Sequence, residues 1–347
     1  MPVCEIDPRV DRRWTEFLRT AKGATVFHSA PWLEVIQRTY GWCCRVLASL
    51  DEHGVVKGGI PYFTTNSVIT GRRIVSVPFS DYCHPVCETN SELTFLLRGL
   101  VEAAAVHGAG SVEVRGLGND EVAKCEGWEP RGRFLSHKLS LIAGIEEVER
   151  HYHKDCVHRK VRKAVQQGLA IESGTRSKII DEFYALLVRT RRRHGYPPPP
   201  RRWLANLVEC VPGGDCMICS YRGTPVAGIF ILRWNDTVYY KYGASDERFH
   251  RLGPMPFLYR EMIRRAAEEG SRAVDLGRTE LSNRGLAEFK QRFGGVPTML
   301  QYWEYGKRSR REGRLSGVVG TLGRIVMTRM PLSLLPSIGN ALYPHIG

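Results

Sequence analysis

The chain repeats itself once, and that repeat limits what it can fold into. Residues 45–50, Arg-Val-Leu-Ala-Ser-Leu, lead through Asp51-Glu52-His53-Gly54 into residues 55–63, Val-Val-Lys-Gly-Gly-Ile-Pro-Tyr-Phe. Residues 216–221, Cys-Met-Ile-Cys-Ser-Tyr, lead through Arg222-Gly223 into residues 224–232, Thr-Pro-Val-Ala-Gly-Ile-Phe-Ile-Leu. Gly54 and Gly223 are 169 positions apart, and so are Gly59 and Gly228. Each copy reads as strand, glycine turn, strand. A helical pattern over 96–107 then stops at Gly108 and Gly110, before a strand over 111–116. Its counterpart over 256–269 stops at Gly270, before a strand over 273–277. Glycine tolerates the left-handed conformation that ends a helix. Both strands carry an acid between apolar residues, Glu113 and Asp275. An upstream helix of the second copy is predicted over 177–194, with Ile179, Phe183, Leu186 and Leu187 on one face. The expected fold class is therefore α/β (α+β), two tandem units of mixed central sheet flanked by helices. The expected divisions are 1–150, 151–306 and a basic, apolar tail over 307–347.

A chain of 347 residues with 43% apolar content has room for two domains and their cores. Its net charge of +14 is uneven. Residues 150–202 hold 14 Lys/Arg against 4 Asp/Glu, and residues 306–347 hold 7 against 1. Such a field favours polyanions: phosphates, nucleic acid or an acidic membrane face. A solvated surface is the plain alternative. Residues 158–168 read as a basic helix at the junction, closed by Gly168, with Val161 and Val165 able to bury while Arg159, Lys160, Arg162 and Lys163 face out. The run Tyr196-Pro197-Pro198-Pro199-Pro200 ends the helix before it and forms either a stiff spacer or a cleft wall. No membrane-spanning run and no secretory signal are read, so a cytoplasmic chain with reduced cysteines is expected. Cys216 and Cys219 have CxxC spacing but fall in a predicted strand, and Cys83-His84 with Cys87 is a second loose cluster. Both read as small buried side chains, and no metal is expected.

The stretch over 274–295 carries the sharpest chemical question. A strand, Val274-Asp275-Leu276, breaks at Gly277 and is followed by Arg278. A helix then places Leu286, Phe289 and Phe293 on one apolar face, which puts Lys290 and Arg292 off it. Arg278 and Lys290 could share a cleft and hold phosphate, the guanidinium as a planar fork and the ammonium as a point charge. Alternatively, Arg278 pairs with Glu280 or Asp275, and Lys290 is solvated.

Taken in order, several features resemble the FemAB/FemX family of tandem GNAT-like acyltransferase domains over about residues 20–305. They are Phe27-His28 through Tyr40-Gly41-Trp42, Val77-Pro78-Phe79-Ser80-Asp81-Tyr82, the basic run Arg159-Lys160-Val161-Arg162-Lys163, Tyr239-Tyr240-Lys241-Tyr242-Gly243-Ala244, Asp275-Leu276-Gly277-Arg278 and Phe289-Lys290 with Phe293-Gly294. The tail, Met330-Pro331-Leu332 through Tyr343-Pro344-His345-Ile346, looks like the subgroup associated with exopolysaccharide and PEP-CTERM export.

The resemblance implies transfer of an acyl or aminoacyl group to an amine or hydroxyl of a cell-envelope precursor, in peptidoglycan or exopolysaccharide synthesis. The donor would be acyl-CoA or aminoacyl-tRNA, and the acceptor a nucleotide- or lipid-linked precursor. Lys290 matches the family's cation near the reacting centre, where it could stabilise developing negative charge. Asp81 could bind the acceptor amine or take its proton, or simply cap a turn. Tyr242 could protonate a leaving oxygen, or be core. Arg278, Arg159 and Arg162 are candidate phosphate ligands. Arg251 and Gly253 fit part of the coenzyme A pyrophosphate loop of GNAT enzymes, but Pro254 and Pro256 remove backbone donors there. The long heptad insertion of the family's tRNA-handling members is missing. No GxSxG motif occurs, so direct transfer is expected rather than an acyl-enzyme. Residues 314–329 could lie on an acidic membrane or pack back on the second unit. The competing reading is a non-catalytic nucleic-acid-binding or scaffold protein.

Overall fold

The computed structural model describes residues 3–68, 70–116, 120–306 and 323–345. Among the described residues, twelve strands follow in chain order: β1 (Val3–Ile6), β2 (Cys44–Leu50), β3 (Val56–Ser67), β4 (Gly71–Val75), β5 (Ser111–Arg115), β6 (Trp128–Ser140), β7 (Ala170–Gly174), β8 (Asp215–Tyr221), β9 (Thr224–Trp234), β10 (Thr237–Ser245), β11 (Ala273–Glu280) and β12 (Val296–Gly306). The mixed α/β architecture expected from the repeat is present, with helices flanking the sheet.

The chain forms two compact units. The first comprises residues up to 134 with 299–320 and 344–347, and the second 135–298 with 321–343. The divisions at 134/135 and 298/299 fall inside β6 and β12. In the first unit the strand order is β1-β2-β3-β4-β5-β12-β6. In the second, β6 lies beside β11, followed by β10-β9-β8-β7. Thus β12, the last strand of the second repeat, pairs with β5 of the first, from Tyr302↔Arg115 to Gly306↔Ser111.

The repeat has a steric basis. Gly54 and Gly223 turn the two hairpins with φ of 75° and 76°, a region that favours glycine. Gly59 lies in β3, where a Cβ would stand 2.8 Å from Leu47 O and 2.9 Å from the Trp14 ring. Gly228 lies in β9, where a Cβ would stand 2.8 Å from both Phe183 and Ile218.

In the first unit, helix Asn90–Val106 buries Leu93, Leu96, Leu97 and Leu100 against Leu47, Ile60, Ile74 and Val112. In the second, helix Pro254–Glu268 packs Leu258, Tyr259, Met262 and Ile263 on one sheet face with Met217, Ile229, Val238 and Val274. Helix Ser177–His194 has the predicted span and buries all four predicted stripe residues. It ends at Gly195, φ 71°, ahead of the proline run. Tyr196 N–H returns to Arg191 O, so the left-handed glycine stops this helix rather than the prolines. The junction also differs from expectation. A π-helical turn, Lys154–His158, precedes helix Arg159–Gln166, which buries Ala164 and leaves Val165 exposed.

Residues 323–343 pack back on the second unit: a Cβ on Gly195 would meet Arg324, and one on Gly339 would meet Pro198. The predicted tail residues Val318, Val319 and Leu322 lie outside the described residues. Among the described residues, no helix is long and apolar enough to cross a membrane. Cys216 and Cys219 are buried in β8 as free thiols.

Candidate active site

The second unit holds an opening in its sheet. Strands β10 and β11 run parallel but pair only from Thr237↔Ala273 to Tyr239↔Asp275. Past that point β10 changes register between Tyr240 and Tyr242, a bulge that bends a strand. On the other side, β11 turns at Gly277, φ 75°, whose N–H is held 2.8 Å from the buried Asp275 Oδ1.

Lys290 is anchored on the β11 side of this opening. It comes from helix Arg284–Gln291, and it is only 1% exposed. The sequence puts it off the apolar face; in the fold it turns inward. Its ammonium donates to Gly277 O at 2.8 Å, Arg278 O at 3.1 Å and Thr279 Oγ1 at 2.8 Å. An ammonium has three protons, and these three acceptors match them. Phe289 and Phe293 of the same segment pack on Tyr259, ring centroids 4.8 and 5.5 Å away. Arg278 is partly exposed at the β11 end. Tyr242 faces the other layer: its ring is buried and its hydroxyl accepts from Trp203 Nε1 at 2.9 Å. Lys290 and Tyr242 are therefore set on opposite faces of the second unit's sheet.

The four remaining second-unit candidates lie on elements that meet. A Cβ on Gly253 would lie 2.8 Å from Lys160 O, so helix Arg159–Gln166 abuts the start of helix Pro254–Glu268. Arg251, on the 3-10 turn Glu247–Leu252 just before it, is exposed. Arg159 is 75% exposed, 3.7 Å from Asp155. Of the first three residues of helix Pro254–Glu268, only Met255 carries an N–H. A phosphate therefore finds little of the usual helix N-terminal amide cradle here.

Arg162 borders a cavity of about 230 Å³ with Glu149, Tyr152, His158, Val161 and Arg260. Glu149 is engaged by Arg260 at 2.7 Å. The buried Tyr152 hydroxyl has no hydrogen-bond partner among the described residues, and burial raises its pKa.

Asp81 belongs to the first unit. It is partly exposed, and its carbonyl accepts from Tyr302 Oη at 2.6 Å. The preceding Phe79 holds φ 62°, strained for a residue with a side chain, and its ring stacks on Tyr40 and Trp42. Beneath this segment, Glu113 lies 2.7 Å from Arg115, 3.5 Å from Arg131 and 3.6 Å from Arg73. Among the described residues, no group of three His, Cys, Asp or Glu side chains is placed to hold a metal ion.

One residue near Lys290 was missed in the sequence. His137 on β6 is fully buried, and neither ring nitrogen has a partner among the described residues. A single histidine in a strand carries no spacing signal, and only the fold brings it near Lys290.

These features define a class. Residues 153–291 match the family model described as an acetyltransferase (GNAT) domain. That match marks an acyltransferase domain of this type within the second unit, in keeping with the expectation from the sequence. The FemX crystal structure is similar over 92% of this chain and 100% of its own, with a TM-score of 0.67 at 15% identity. A tandem GNAT protein from the clavulanic acid biosynthesis pathway is similar over 88% of this chain and 98% of its own, with a TM-score of 0.56 at 12% identity. The C-terminal domain of a putative lysylphosphatidylglycerol synthetase from Agrobacterium fabrum covers 91% and 95%, with a TM-score of 0.55 at 15% identity. At these identities the likeness is one of fold. No curated protein matches the chain by sequence.

Proposed function

We propose that this protein transfers an acyl or aminoacyl group directly from an activated ester or thioester to an amine or hydroxyl of a cell-envelope precursor or polysaccharide. The observation that carries the reading is the parting of β10 from β11 after Tyr239 and Asp275, with the buried Lys290 ammonium held on the same end of β11. Acyl transfer needs positive charge near the carbonyl oxygen as it becomes an oxyanion, inside a site that excludes water. Lys290 supplies that charge, and Arg278 stands beside it for an anionic part of either substrate. The cavity at Arg162, with Arg159 and Arg251 on adjoining elements, is assigned to phosphate of a nucleotide- or lipid-linked acceptor, or of the donor. Asp81 is assigned to the acceptor amine.

For the donor, two observations point in different directions. The GNAT family model favours acyl-CoA. Pro254 and Pro256 at the helix start, with exposed cations on helix Arg159–Gln166, favour a larger polyanion such as aminoacyl-tRNA. The names of two structural neighbours, FemX and a lysylphosphatidylglycerol synthetase, suit an aminoacyl donor. The exposed side chains of Ile325, Val326 and Leu334, near Arg324 and Arg329, would suit peripheral contact with an acidic membrane carrying a lipid-linked acceptor.

A thermal-shift screen with coenzyme A, acyl-CoAs, aminoacyl-tRNA and UDP-linked precursors tests this, since a ligand that binds only the folded state raises Tm. A shift with aminoacyl-tRNA and a UDP precursor, with transfer abolished in Lys290→Ala, is the expected result. A shift with acyl-CoA instead makes coenzyme A the donor. Salt-dependent nucleic-acid binding without any transfer would overturn the enzymatic reading in favour of a binding protein.

A further inference from the structure

Two basic side chains are buried within electrostatic reach of each other in the second unit, Lys290 on helix Arg284–Gln291 and His137 on β6. Lys290 has its three protons matched by Gly277 O, Arg278 O and Thr279 Oγ1. Any bond to a reacting oxygen therefore requires that one of these be released. His137 is the reverse case. Its ring is wholly buried, and both nitrogens lack a partner among the described residues. It has given up hydrogen bonds to water with nothing in return, a cost that folds tend to avoid. Leu139 on β6 and Leu141 just past its end belong to the second unit's apolar core with Leu276 and Phe293. Burial first, and the Lys290 charge second, lower the imidazole pKa to about 4. The ring is thus neutral at pH 7, and it keeps an unused lone pair close to a cation whose protons are committed.

We propose that His137 is a positioning residue for Lys290. It completes a second seat for the ammonium: Nζ leaves one β11 oxygen, donates to an imidazole nitrogen, and turns another proton toward the acyl oxygen that gains charge during transfer. No proton changes owner in this movement, and the ammonium stays charged. A buried cation deprived of an acceptor without replacement would face a steep desolvation cost. The waiting nitrogen removes most of that cost. The proposal rests on the acyl-transfer reading above.

The test compares His137→Phe and His137→Gln with the unaltered full chain, using thermal unfolding and steady-state transfer kinetics. Phenylalanine keeps a ring and removes both orphaned nitrogens. The expected result is a Tm raised by about 2 °C or more, with kcat lowered at least about tenfold and KM little changed. Glutamine restores an acceptor and recovers part of kcat. His137→Met serves in place of phenylalanine if that variant does not fold. A phenylalanine variant with unaltered kcat overturns the proposal, and so does one with lowered Tm, which would show a structural partner. If the unaltered protein transfers no acyl group from any donor, the acyl-transfer reading itself fails. Activity in that protein with an indifferent His137 sinks only the proposal.

Discussion

Glu113 and His28 show how single buried groups set the stability of this chain. Burial would raise the Glu113 pKa, but the charges of Arg115, Arg73 and Arg131 outweigh it and hold the carboxyl at about 2. Replacing it by glutamine leaves three guanidinium groups facing one another inside the first unit. Glu113→Gln should cost about 3–5 kcal/mol, read from the urea midpoint; an unchanged midpoint would mean that the arginines find other partners. His28 is fully buried, with Nδ1 against Thr25 and Nε2 on His84 O, and burial lowers its pKa from 6.5 to about 4. A depressed histidine pKa means that the unfolded chain binds the proton first. The stability it represents is complete above pH 6.5 and drains away as pH falls toward 4. His28 alone should account for about 3 kcal/mol over that window, and His137 acts in the same direction. Denaturant melts at about pH 7 and about pH 4.5 check this, and a flat profile would refute it. Glu113 titrates in the fold only below this window. At this scale the sequence was partly legible. The acid between apolar residues is visible in both repeats, but the inward turn of Lys290 is not. Helical spacing places Lys290 beside Phe289, off the stripe, and only its bonds to the β11 carbonyls bring it under cover.

Among the elements, the two hairpins were the most legible part, because their glycines serve geometry that only glycine meets. Gly59 and Gly228 sit mid-strand with no room for a methyl group. Gly59→Ala and Gly228→Ala should each destabilise by about 1–3 kcal/mol through overpacking, against little effect for Gly285→Ala, where a Cβ meets nothing. Thermal or urea melts decide it, and an indifferent Gly228→Ala would mean that Phe183 can step aside. Other elements were misread for local reasons. The proline run looks like the stop of helix Ser177–His194, yet Gly195 ends it first. Val165 has the spacing of a buried residue, yet helix Arg159–Gln166 follows a π-helical turn over Lys154–His158 and buries Ala164 instead. A wide turn of that kind leaves no trace in apolar spacing.

For the whole molecule, the net charge of +14 makes salt a diagnostic. If the cations of helix Arg159–Gln166 hold a polyanionic donor or acceptor, affinity should fall steeply with ionic strength. Arg159→Gln with Arg162→Gln should then lower the logarithmic salt slope by about 1 for each phosphate interaction removed. Filter binding of tRNA from about 50 to about 300 mM salt would measure it. A slope that does not change assigns those arginines to solvent. The two-unit plan was legible as a repeat, but linear order hides the partnership of β12 with β5 and of β6 with β11. Repeats written one after the other suggest two separable folds, whereas these strand pairs join segments far apart in the chain.

That exchange has a consequence for how the protein comes into being. When the ribosome has finished residues 1–134, the first unit still lacks β12, whose residues from 299 onward are among the last of its sheet to be made. Until then the edge of β5 is unpaired, an open template for other strands. A fragment ending at the repeat boundary would lack β12, and with it the strand that covers the β5 edge.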